Sequence, residues 1–211
     1  MATATSTHES KENFPATLEF FTLVGQIKRA QRTGWTHHNV DKVESVSDHI
    51  YRMAVMTMLL EGKNLNTTHC MKMAVIHDLA ECIVGDITPF CGVSAEEKYR
   101  REKEAMFKLT SLISNEKVGN EVMSLWEEYT NQNTKEARAV KDIDRFEMIL
   151  QAFEYEKSEN KPGNLQTFFN STKGKFGDPQ IQRWVEELDK QRQVFTETHK
   201  PEAIIETNVK Q

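Results

Sequence analysis

Several things are scarce in this sequence, and each scarcity closes a class of function. Cysteine occurs three times in 211 residues, at Cys70, Cys82 and Cys91, an odd number without CxxC spacing. That pattern does not suit a disulfide framework; it reads as reduced thiols of a cytoplasmic or nuclear protein. No stretch approaches the roughly 18 uninterrupted apolar residues of a membrane span. Met1 to Glu12 are polar and carry no apolar core of a secretory signal, so the cytoplasm is the expected compartment. Positive charge is also short, with 27 Lys and Arg against 32 Asp and Glu, a net charge of -5 and a pI near 5.8. Such a surface is not suited to a nucleic-acid polymer, although it allows a small basic pocket. There is no alternating strand pattern, no internal repeat and no glycine-rich phosphate loop.

What remains is helical periodicity, in a chain long enough for one well-filled core and short for two. The expectation is a single-domain, all-α helical bundle, with residues 1–13 as a disordered leader, 14–198 as the domain and 199–211 as a flexible tail. A first helix runs from Pro15 to near Arg32, where Thr33-Gly34 breaks it, and Trp35 to Ser45 reads as a loop. Ser45 or Ser47 caps a helix reaching Glu61, and Thr67 or Thr68 caps another that continues through Val84 to Gly85-Asp86. Ile87 to Ser94 forms a second loop. Further helices span about 94–113, 118–129, 134–159, 165–171 and 179–196. Trp126, Trp184 and Phe195 suit either a core or an interface.

Inside the third of these helices lies the pair His77-Asp78, two metal-preferring side chains in an apolar run. Consecutive helix positions point about 100° apart, so the two can converge only on something beside the helix. His49 shares a helical line with Met53, Met56 and Leu60; alone, it suits a buried histidine bonded to backbone. Asp144 sits midway along the long helix, where Lys141 and Arg145 could pair with it and Asp142 is the solvent-facing rival. As a set, His49, His77, Asp78 and Asp144 suit one divalent ion such as Mn2+, Co2+ or Mg2+ with open positions, which catalysis needs. Glu81 follows His77 by four positions and Asp78 by three, on their side of the helix. No histidine occurs between Asp78 and Asp144, which favours one ion over two.

The order His49, His77-Asp78, Asp144 resembles the signature of the HD-domain metal-dependent phosphohydrolases. Glu44-Ser45-Val46-Ser47-Asp48-His49 is similar to the family's ESVxxH, and His77-Asp78-Leu79-Ala80-Glu81 with Gly85-Asp86 is similar to its HDxxE…GD. Those flanks look like the 5'-deoxynucleotidase branch, and the agreement runs from about Leu18 to Tyr155. The resemblance implies His49, His77, Asp78 and Asp144 as metal ligands and Glu81 and Asp86 as the catalytic carboxylates. It implies Arg32 beside the substrate phosphate. In bacterial relatives an aromatic directly follows that arginine and disfavours a 2'-hydroxyl; here Thr33 follows, and Trp35 is the aromatic offered to the substrate. The implied reaction is hydrolysis of (deoxy)nucleoside 5'-monophosphates by a homodimer. A phosphodiesterase or pyrophosphohydrolase on the same scaffold, or a non-catalytic nucleotide-binding module, is the alternative. His37 and His38 stand close to Arg32 in sequence, without an assigned role.

Overall fold

A computed structural model describes residues 13–60 and 65–199. The expected leader and the tail beyond His199 lie outside the described residues, as do Glu61 and Gly62. Among the described residues the chain is helical, with one isolated antiparallel bridge between Gln31 and Ser45. No helix among them is long and apolar enough to cross a membrane.

Local chemistry sets most helix starts. Asn13 caps α1 (Phe14–Val24), with Pro15 in the first turn. Ser45 and Asp48 form a reciprocal capping box on α3 (Val46–Thr57), each side chain accepting from the other's backbone N–H. Asn66 caps α4 (Thr67–Ile76), one residue earlier than the expected threonines. Ser94, Asn115, Thr134 and Asp178 cap α6 (Ala95–Ser111), α7 (Glu116–Asn131), α8 (Lys135–Ser158) and α10 (Pro179–Thr198). The short helices are α2 (Thr33–His37), α5 (Glu81–Val84) and α9 (Gln166–Thr172).

Three expectations need correction. The first helix stops at Val24 and tightens into a 3-10 turn over Gly25–Lys28, while Thr33-Gly34 opens α2 instead of a loop. The expected 67–84 helix is broken at His77-Asp78. There the bonds shorten from i→i+4 to i→i+3, as in Leu79 N–H to Ile76 carbonyl and Glu81 N–H to Asp78 carbonyl. Asp142 is not solvent-facing. It is buried and accepts from the backbone N–H groups of Gly177 and Asp178, tying the start of α10 to α8.

The break has a packing cause. Cys70, Met73 and Ala74 of α4 belong to one core, with Met53 of α3, Ile143, Ile149 and Phe153 of α8 and Ile181 of α10. Leu79, Ala80 and Cys82 belong to a second, with Ile27, Val46, Met106, Leu109 and Trp126. The chain bends where it passes from one to the other, and His77-Asp78 is that point. Each large apolar side chain so buried contributes about 1.5–3 kcal/mol. Trp126 is core, and Trp184 and Phe195 are half-buried against the first core.

Candidate metal and substrate site

α3, the α4–α5 break and α8 bring His49, His77, Asp78 and Asp144 to one place. His49 is fully buried, and its Nδ1 is paired with the buried Glu147. Arg52 holds Glu147 in turn, its Nη2 and Nε donating at 2.7 and 2.9 Å. His77 donates Nδ1–H to the Ala74 carbonyl at 2.8 Å. With both Nδ1 atoms engaged, both Nε2 atoms face inward, buried and without a hydrogen-bond partner.

Carboxylates stand where those nitrogens point. Asp144 Oδ1 is 3.3 Å from His49 Nε2, and Asp78 Oδ2 is 3.0 Å from His77 Nε2 and 3.9 Å from His49 Nε2. One ligand atom each from His49, His77 and Asp144 falls within 4.8 Å of the others. Asp144 is aimed by its second oxygen, which accepts from Tyr129 hydroxyl at 2.6 Å and Lys141 Nζ at 2.8 Å. Two orphaned imidazole nitrogens converging with two oriented carboxylates are a donor set for a borderline or hard divalent cation.

The charges of these groups compensate one another. Burial and Arg32 press the His49 pKa down, but Glu147 and Asp144 outweigh them and hold it up at about 9. Burial opposes ionisation of Asp78, yet His77 and Arg32 keep it well below the usual carboxylate range. Asp144 is likewise held low, by Lys141 and His49 against burial. Ion binding must displace the imidazole proton, the usual coupling of metal affinity to pH.

His77, Asp78 and Asp144 line a cavity of about 420 Å³, together with Arg32, Glu81, Asp86, Lys98 and Lys141, and the buried His49 stands behind them. Arg32 Nη1 is 3.6 Å from Asp78 Oδ2. The bridge between Gln31 and Ser45, with Arg32 N–H on the Glu44 carbonyl, carries this arginine alongside α3. Burial disfavours its charge, but Asp78, Asp86, Asp144 and Glu81 together raise its pKa. Glu81 is buried with Oε2 unpartnered, and burial, then Asp78 and Asp86, push its carboxyl well up. Asp86 Oδ2 accepts from Thr33 N–H at 2.7 Å, and Thr33 hydroxyl donates to the Asp86 carbonyl at 2.7 Å, fastening the start of α2.

A second cavity, about 410 Å³, adjoins the first and shares Arg32, Asp86, Thr88, Pro89 and Met148 with it. Trp35 belongs to this one. It is 1% exposed, donates Nε1–H to Glu44 at 2.9 Å and packs on Phe168 and Tyr155. His38 donates Nδ1–H to the Gly34 carbonyl, and His37 stacks on Phe90; neither joins the metal cluster.

Sequence reasoning missed Glu147, Arg52, Tyr129 and Lys98 and gave Lys141 only a pairing role. For two of these a signal existed: Arg52 lies three residues after His49 and Glu147 three after Asp144, one helical turn along the same faces.

The HD domain family matches residues 24–184 of the chain. The chain belongs to the HD-domain family. Among curated proteins, this HD domain is 55% identical over 175 residues to "5'-deoxynucleotidase HDDC2" of Bos taurus, covering 83% of the chain and 85% of that protein. It is 50% identical over 192 residues to the Homo sapiens protein of the same name, covering 91% and 94%. Among solved structures it superposes on "HD domain-containing protein YGK1" with a TM-score of 0.69 and 31% identity, covering 89% of this chain and 91% of that one.

Proposed function

We propose that this HD domain is a metal-dependent phosphomonoesterase that hydrolyses nucleoside 5'-monophosphates, deoxynucleotides above all, to nucleoside and phosphate. The observation that carries the reading is the pair of buried, unpartnered Nε2 atoms of His49 and His77 converging with Asp78 and Asp144 beside Arg32. Relatives at 50–55% identity bearing the 5'-deoxynucleotidase name support it.

His49, His77, Asp78 and Asp144 would hold one ion, Mn2+, Co2+ or Mg2+ by their donor chemistry. When bound, such an ion supplies Lewis acidity toward a phosphate oxygen and toward water. Arg32 binds the phosphate and offsets the charge that grows on it, a task suited to its planar fork of donors. Glu81, with one oxygen unpartnered, holds the attacking water and relays its proton; Asp86, anchored by Thr33, orients that water from the rim. The water oxygen bonds to phosphorus as the P–O5' bond breaks, and O5' takes up a proton.

Two further assignments complete the reading. The protein works as a homodimer, supported by exposed Phe14, Leu18 and Phe21 on α1, a helix with no buried residue. It resides in the cytoplasm, supported by three unpaired cysteines.

A panel of deoxynucleoside and nucleoside monophosphates, cyclic nucleotides and triphosphates, assayed with Mn2+, Co2+ and Mg2+, tests the activity. Monophosphates should turn over fastest, and His77→Ala should lose bound metal together with turnover. Preference for triphosphates or cyclic nucleotides, or no turnover at saturating metal, overturns the reading.

A further inference from the structure

The two imidazoles of the metal cluster are aimed by different devices. His77 donates Nδ1–H to the carbonyl of Ala74, three residues earlier. That acceptor is backbone, so no substitution reverses its polarity. For His49 the same role falls to a side chain, Glu147 of α8, which is 98 residues away and wholly buried.

Glu147 is engaged on both sides. Oε2 faces His49 Nδ1, and Oε1 accepts from Arg52 Nε at 2.9 Å and from Arg52 Nη2 at 2.7 Å. Arg52 is itself held from outside, its Nη1 donating to Glu154 and its Nη2 to Gln151, both at 2.6 Å. The order from surface to ligand is therefore Arg52, with 27% of its side chain exposed, then Glu147 and His49, with none.

A guanidinium has donors only, so the group between it and His49 must turn an acceptor toward Arg52. A carboxylate then has a second acceptor left for the imidazole. His49 keeps its proton on Nδ1, and the lone pair on Nε2 stays free. A carboxamide has one acceptor and one donor face. With its oxygen held by Arg52, its NH2 would meet Nδ1 and drive the imidazole proton onto Nε2, the atom that faces the cluster.

We infer that Arg52 and Glu147 are positioning residues that select the tautomer of His49, and that Arg52, which does not line the metal cavity, thereby governs cation affinity. The inference rests on the metal-site reading and not on the choice of substrate. It predicts an unusual coupling: removing Arg52 should repair the damage done by Glu147→Gln, because the amide is then free to turn its oxygen toward Nδ1. Two residues with a merely structural role would give losses that add.

The test compares wild type, Glu147→Gln, Arg52→Met and the double variant, each checked for folding by circular dichroism. Calorimetric titration of metal-free protein with Mn2+ gives the affinity. Glu147→Gln should lose about 100-fold, the upper end for a ligand's hydrogen-bond partner, Arg52→Met less than about tenfold, and the double variant should regain about tenfold over Glu147→Gln. Histidine 15N spectra of metal-free protein at about pH 10, above the His49 pKa of about 9, read the tautomer directly. Wild type and the double variant should carry the proton on Nδ1, and Glu147→Gln on Nε2. If Glu147→Gln does not fold, Glu147→Leu takes its place: with no acceptor for Nδ1–H it should show both tautomers, and the Nδ1–H form alone would refute the inference. A double variant that binds no better than Glu147→Gln, or a tautomer unmoved by Glu147→Gln, overturns it. A wild type that binds no divalent ion removes the metal site and the proposed hydrolysis, while the spectra still decide whether this pair sets the His49 tautomer.

Discussion

Asp144 divides its two oxygens between two tasks. Oδ2 is saturated by Tyr129 and Lys141, which leaves Oδ1 turned to His49 at 3.3 Å. Burial, followed by the charge of Asp144, pushes the Tyr129 hydroxyl well above its ordinary pKa, so it remains a donor. Tyr129→Phe deletes that donor with little change of shape. The expected outcome is a 10- to 100-fold loss of metal affinity, read by titration of the apo-protein, with turnover recovering at excess metal. Glu44 offers a pH readout that bypasses the ion. Burial, then the charge of Glu147, carries its pKa up from 4.5 to about 7, despite the Trp35 hydrogen bond. A folded pKa above the unfolded one means that this group's contribution is complete below about 4.5 and is lost as pH rises through about 7. In Glu44→Gln, which still accepts from Trp35, the fall in unfolding free energy between pH 5 and pH 8 should shrink. The expected reduction is on the order of 1 kcal/mol, read by urea titration at the two pH values.

At the scale of elements, the decisive feature is a helix that does not continue. Three pieces of backbone build the reactive wall: the end of α4, the tightened turn through Asp78, and α5, which Gly85 terminates. Gly85 has φ 74° and ψ 172°, a region open essentially to glycine, while the space around an added Cβ is empty. The cost of Gly85→Ala is therefore backbone strain alone, about 1–3 kcal/mol in chemical denaturation. Because Asp86 follows directly and anchors Thr33, kcat should drop more than the residual folded fraction explains. The neighbouring carboxylates of α8 part company for a similar geometric reason. Asp144 looks into the metal cavity, and Asp142, two residues earlier and so about 200° around the helix, binds the chain entering α10.

At the scale of the whole molecule, α1 remains unfinished. Phe20, Leu23 and Val24 rest against the second core, whereas Phe14, Leu18 and Phe21 are exposed, beside an apolar groove made with the α6–α7 corner. Covering that face with a second copy predicts a sedimentation mass near twice 24.4 kDa. Leu18→Glu combined with Phe21→Glu should halve it without unfolding the chain, and a wild type that stays monomeric at high concentration would remove the dimer from the proposal.

The sequence by itself determined the helical architecture, because helix formation is written in near-neighbour chemistry. Cap residues such as Ser45, Ser94 and Asp178 precede apolar stripes at 3.6-residue spacing, and the starts of α6, α8 and α10 fall where those signals place them. It also pointed to His49, His77, Asp78 and Asp144 as one group, since their residue types and motif flanks survive in one dimension. Only the tertiary structure decided how they are held. The break at His77-Asp78 follows from two cores competing for one helix. The anchors Tyr129, Glu147 and Arg52 act across helix–helix contacts 15 to 98 residues apart in sequence, partners that sequence spacing does not name, whereas Lys141, one turn before Asp144 on α8, was legible locally. The burial of Trp35, and the apolar cavity above it, depend on Phe168 arriving from more than a hundred residues downstream. Hydrogen-bond capping is local and legible; burial is a property of the packed whole.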